Sequence, residues 1–504
     1  MKTIFSVLFV SLLMISTLKA QREFEQPARA LGLESMDAFK AFLALANDAA
    51  LPEDMVGNIA WAKSALEELN FDVTTLQTSA LPLLVAEQEF KKGSPTIAFY
   101  MHLDGQGVDP NKWNQESPYK AVLKKPMENS FQEVSWGKLN DTSIDDYRIF
   151  ARSSSDDKGP FLMLTTALKY LKSKGKKPAF NIKIVLDFEE EKSSQGLPEA
   201  VKKYKEELSA DMLLILDGPM HSSGKPTLVF GFRGISSLTL TTYGPLLPQH
   251  SGHYGNYVSN PALDLAQILA SMKDKEGRVL IPGFYDGIVL DETTKKILQG
   301  VHSEEQAIKQ RTQTKRNDLV GDSYQEALQF PSLNIRGMQS GLVGKQTLTI
   351  IPATATAEID IRLVLESDTN KLIDGVKSHL IAQGFTVLDH QPTKEERMNF
   401  DRIVRMNSKI AYPAFRTDTE SKEGKWLRTI LSDYYDEKPV IIRTSGGSVP
   451  ISPFVSGLGI PAIGVPTVNL DNNQHSPNEN LRIGNYFRGI ESFLALLTTQ
   501  FKNN

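Results

Sequence analysis

The chain has 504 residues, 56 basic and 60 acidic side chains, a formal charge of −4, and no cysteine. With 40% hydrophobic and 23% charged residues it has ordinary globular usage, which excludes a disordered, collagen-like or disulfide-stapled protein. The balanced charge offers no nucleic-acid surface, and the missing thiols exclude cysteine nucleophiles, thiolate metal ligands and a lipoprotein anchor.

Lys2, an apolar run over residues 4–18 and a Leu-Lys-Ala ending at Ala20 have the pattern of a secretory signal peptide. The run is shorter than the roughly 20 residues a membrane span needs. An exported protein, periplasmic or secreted and without a stable membrane anchor, is therefore expected. At this length a single core is not expected, and two domains are. A helix is predicted over residues 55–69, a strand over 96–103, a helix over 159–175, and strands over 181–188 and 212–216. That alternation predicts an α/β fold with a helix-covered, mostly parallel sheet, whose ligands gather at the carboxyl ends of its strands. Residues 126–146 read as an extra loop.

The texture changes near residue 230. A strand over 237–242, a helix over 261–272, strands over 332–337 and 354–363, a helix over 370–383 and a strand over 385–388 follow. In order this is β-α-β-β-α-β, a ferredoxin-like α+β unit, with residues 303–322 as a surface excursion. The α/β pattern resumes with a helix over 425–435, strands over 440–443 and 462–465, and a last helix over 486–501. The expected organisation is a signal peptide at 1–20, an α/β domain in two parts at 21–228 and 413–504, and an inserted domain at 229–412.

Acidic and imidazole groups collect at predicted strand ends. His102 and Asp104 close the first strong strand, Glu189, Glu190 and Glu191 follow residues 181–188, and Asp217 follows 212–216. Asp156 and Asp157 precede a helix, and His475 lies in the polar loop before the last helix. Clustered carboxylates without a cation would be driven towards protonation, so bound metal is the economical reading. Imidazole and carboxylate without sulfur suit zinc and tolerate manganese or cobalt.

Taken together, His102-x-Asp104, Ser-Ser-Ser-Asp156-Asp157-Lys-Gly-Pro, Glu189-Glu190-Glu191, Leu-Asp217-Gly-Pro and His475-Ser-Pro-Asn-Glu resemble the dinuclear zinc peptidases of metallopeptidase family 20. In shape the chain is most similar to the carnosinases and bacterial dipeptidases. The resemblance implies two divalent metal ions per subunit. Asp156 would bridge them, His102 and Asp217 would complete one site, and Glu191 and His475 the other. Glu190 would be the general base for a metal-bridged hydroxide attacking the amide of a dipeptide or short peptide, with Asp104 bracing His102.

The inserted domain would serve as lid and homodimerisation module. In it His250 would stabilise the oxyanion in the partner subunit's site, and Arg362 would hold the substrate carboxylate with Thr349 as its lid partner; outside it, Ser448 would belong to a glycine-rich substrate loop. The same centre serves N-acyl amino acid deacylases and carboxypeptidases, and a non-catalytic peptide-binding protein would keep the fold without needing Glu190. Ala151-Arg152-Ser153 before the bridging acid and Lys192-Ser193-Ser194 after the glutamates depart from the family's glycine-containing pattern.

Overall fold

The computed structural model describes residues 22–501, so the expected signal peptide lies outside the described residues. Its largest sheet has eight strands in the order Asp72–Leu76, Leu83–Gln88, Asn181–Asp187, Thr96–His102, Met212–Ile215, Ala462–Gly464, Thr227–Val229 and Val440–Ile442. The run of four from Asn181–Asp187 to Ala462–Gly464 is parallel, and the first two strands join it antiparallel. The helices Lys158–Ser173 and Ile483–Leu497 pack on one face, and Leu197–Lys203 and Ser452–Leu458 on the other. Burial on both faces is why these strands read as unbroken apolar runs rather than alternating ones; every residue of Asn181–Asp187 is buried.

A second sheet of five strands has the order Ser332–Gln339, Thr354–Leu363, Gly234–Tyr243, Ile403–Tyr412 and Thr386–Leu388. Helices Pro261–Met272 and Thr369–Ala382 cover one face, where Leu265, Ile268, Leu372 and Val376 meet Leu238, Leu240, Ile359 and Ile361. The alternation along Gly234–Tyr243 follows from this one-sided burial. The chain leaves the large sheet and returns to it side by side, with Gly231–Phe232 paired antiparallel to Phe415–Arg416.

Two expectations need correction. Residues 386–388 form only a three-residue parallel edge strand; the place beside Gly234–Tyr243 belongs to Ile403–Tyr412. Half of that strand is exposed, including Asn407, Ser408 and Lys409, so it carries no apolar alternation for a sequence pattern to detect. Residues 126–146 are not one long loop. The antiparallel strands Val122–Pro126 and Phe131–Val134 belong to a four-stranded sheet with Arg148–Phe150 and Asn480–Arg482. Among the described residues no helix is long and apolar enough to cross a membrane.

Candidate metal centre

Three neighbouring parallel strands end on the same edge of the large sheet. His102 is the last residue of one, the Glu189–Glu191 turn follows another, and Asp217 follows the third. Asp156 reaches this edge from the loop that opens helix Lys158–Ser173, and the peptide bond between Asp156 and Asp157 is cis. Gly159 lets that helix start close beneath the loop, because a Cβ there would lie 2.3 Å from the Ser154 carbonyl oxygen. His475 adopts a φ of 60° in the loop after the strand Ala462–Gly464.

Asp156 stands at the middle. His102 Nε2 is 2.9 Å from its Oδ1 and His475 Nε2 is 3.1 Å from its Oδ2. His475 Nε2 is also 3.1 Å from Glu191 Oε2. Donor atoms of His102, Asp156 and Asp217 lie within 4.8 Å of one another, as do those of Asp156, Glu191 and His475. The two groups share Asp156. Glu190 belongs to neither, though it lines the same cavity.

Electrostatics argue that this donor set fits cations. Burial, then the Asp156 charge, pushes Asp217 up to about 6 and Glu191 up to about 7. Burial raises Glu190 as well, and Asp217 and Glu191 add to it. Burial opposes ionisation of Asp156 too, but hydrogen bonds from His102 and His475 outweigh it and hold that carboxyl well below its usual range. Carboxylates crowded in this way are relieved by divalent cations, and oxygen plus imidazole donors without sulfur match zinc, manganese or cobalt chemistry.

Neighbouring groups hold the donors. Asp104 is fully buried. Its carboxylate accepts from the Glu190 and Glu191 backbone N–H groups at 3.2 and 3.0 Å, and its Oδ1 lies 3.3 Å from His102 Nδ1. It therefore ties the strand-end histidine to the glutamate turn.

Other supports were not foreseen from sequence. Asp187 Oδ2 accepts from Ser194 Oγ at 2.6 Å and Tyr100 OH at 2.9 Å, closing the far side of that turn. Gln106 donates to Glu191 Oε2 at 2.8 Å. Buried Glu479 accepts from Arg152 Nη1 at 2.8 Å and from the backbone N–H groups of Ser153, Ser155 and Asp156 at 2.9, 3.0 and 3.0 Å. The signal for Glu479 was its place four residues after His475; nothing in the sequence marked Gln106.

A cavity of about 850 Å³ opens over the centre, lined by Asp156, Glu190, Glu191, Asp217 and His475 on one side and by the second sheet on the other. Arg362 and Ser448 both line it, and Arg362 Nη1 donates to Ser448 Oγ at 2.7 Å. His250 and Thr349 are not brought to it. Both are exposed where Gln249–His250 pairs with Ile350–Ile351, with the Ser251 N–H donating to the Thr349 carbonyl.

Residues 98–499 match the model of the family described as Peptidase family M20/M25/M40. The chain is 28% identical over 353 residues to the Cys-Gly metallodipeptidase DUG1 of Candida albicans, covering 68% of this chain and 70% of that protein. It is 26% identical to the Beta-Ala-His dipeptidase of Homo sapiens, covering 82% and 76%. Among solved structures it resembles an M20 family metallo-carboxypeptidase, Sso-CP2 from Sulfolobus solfataricus, with a TM-score of 0.75, 27% identity and coverage of 92% and 99%.

Proposed function

This chain belongs to peptidase family M20/M25/M40, and on that premise we propose that it is a dinuclear metallopeptidase that hydrolyses dipeptides or short peptides. The observation that carries the reading is one carboxylate, Asp156, shared by two groups of potential metal ligands, with a buried glutamate beside them that belongs to neither.

His102, Asp156 and Asp217 would hold one ion, and Asp156, Glu191 and His475 the other. Two divalent cations there supply a polarised carbonyl and water acidified towards neutrality. Glu190 takes the proton of the attacking water and returns it to the leaving amine. Asp104 keeps His102 and the glutamate turn in register. Arg362 presents its planar fork to the substrate's terminal carboxylate, steadied by Ser448. Zinc is the ion we assign, with manganese and cobalt compatible.

His250 is assigned to oxyanion stabilisation in the cavity of a homodimer partner, with Thr349 beside it at that interface. Its exposure away from its own cavity supports this. We also propose export after cleavage at Ala20, checked by whether the mature protein begins at Gln21.

The function is tested by offering purified mature protein free dipeptides and their N-acetylated counterparts, with added zinc or manganese and with a chelated control. Chelator-sensitive cleavage of the free dipeptides is expected. Preference for the acylated set would move the chain to the deacylase or carboxypeptidase branch, which the likeness to Sso-CP2 keeps in view. Metal binding without turnover of either set would overturn the enzyme reading.

A further inference from the structure

The second sheet presents its uncovered face to the cavity, and its cross-strand register sorts that face into rows. Arg362, Ile235 and Tyr412 lie in one row; Asp360, Ser237 and Lys409 lie in the next. Arg336, at a bulge opposite Glu358, is further along. The cavity is polarised. The metal-centre acids stand at one end, and Arg336, Arg362 and Lys409 stand on the sheet wall.

Three cations, Arg336, Arg362 and Lys409, line this wall, and two of them have carboxylate partners. Arg336 lies 3.6 Å from Glu358, and Arg362 Nε lies 3.7 Å from Asp360. Arg233, beside Arg362 but outside the cavity lining, donates through its guanidinium to the Gly446 carbonyl oxygen at 3.3 and 3.2 Å. Burial and the Arg362 charge push it down to about 10. Neither Arg233 nor Lys409 has an ion-pair partner among the described residues. Of the three cations on the wall itself, Arg336 and Arg362 each have a carboxylate within 4 Å, and Lys409 has none among the described residues. Rows are roughly 7 Å apart along a strand and strands about 4.8 Å apart. Lys409 is two strands and one row from Arg362, a span that two long cationic side chains and the arm of an acidic residue can close.

We propose that this wall reads two carboxylates. Arg362, with Ser448 and Tyr412, takes the α-carboxylate, and Lys409 takes a carboxylate on the side chain of the same residue, so that peptides ending in Asp or Glu are preferred. The inference rests on the peptidase reading and deepens it.

The test compares kcat/KM for Ala-Glu and Ala-Gln, which differ in one charge, using the metal-loaded protein. A preference of about tenfold for Ala-Glu is expected, since a site built for a polar group discriminates against its absence. The ratio should fall to near one in Lys409→Gln, and Lys409→Glu should favour Ala-Lys instead. Lys345→Gln, on an exposed turn outside the cavity lining, should leave the ratio unchanged. No preference in the unaltered protein, or one that survives Lys409→Gln, overturns the assignment. If neither peptide is cleaved, the peptidase reading fails separately. Calorimetric binding of the same pair to Glu190→Gln then decides the wall, a tenfold ratio supporting it and equal affinities overturning it.

Discussion

Glu190 and Glu191 are adjacent in the chain and differ in what their side chains meet. Glu191 accepts from Gln106 and lies against His475, inside a ligand group, whereas Glu190 stands outside both groups. Proton transfer by a positioned group is worth about 10²–10⁴-fold. Glu190→Gln should therefore lose turnover by that factor while elemental analysis still finds two metal ions per subunit. Glu191→Gln should lose one of the ions, because it removes a charged donor. An equal loss of metal in both variants would remove the distinction between base and ligand. The identities of these residues were readable from sequence because few side chains can bind a hard or borderline cation, and they fell at the ends of unmistakable strands. Their supports were not. Gln106 acts on Glu191 across 85 positions, and no local pattern announces such a contact.

At the level of elements, the loop carrying Asp156 keeps its shape through Glu479, which arrives from 323 residues further along the chain. Glu479 is fully buried, with Arg152 as its charged partner and three backbone N–H groups donating to it. Burial raises its pKa, with Arg152 opposing that rise. Removing one partner of a buried pair costs about 3–5 kcal/mol. Glu479→Ala should lower unfolding stability by that amount in denaturant titrations and weaken metal retention; a loss under about 1 kcal/mol would mean that water or repacking replaces it. Elements with a clear one-sided apolar pattern matched their expected spans closely, as at residues 261–272 and 354–363. Strand Ile403–Tyr412 escaped notice because much of it is exposed and Arg405, Asn407, Ser408 and Lys409 break any apolar alternation along it.

At the level of the whole molecule, the cavity assembles from both units of the chain, yet His250 points its chemistry elsewhere. If His250 serves the partner's site, two inactive variants should complement each other. Mixing His250→Ala with Glu190→Gln under conditions that allow subunit exchange should restore about a quarter of wild-type activity, since half of the dimers are mixed and each has one intact site. No recovery, with mixed dimers demonstrated by mass, would place His250 outside catalysis. Light scattering on the unaltered protein should report a dimer of the mature chain.

The linear chain was enough to single out the candidate metal donors, the glutamate we propose as base and the layered α/β frame. Metal chemistry restricts residue types, and burial on two faces imprints long apolar runs on the strands that end at the site. Only folding decided that Asp104 would link His102 to the glutamate turn, that Glu479 would brace Asp156, and that Lys409 would share a wall with Arg362. Those relations depend on strand register and on loops distant in sequence. A hydrogen bond or a charge excess between such segments exists only once the packed layers have brought them together.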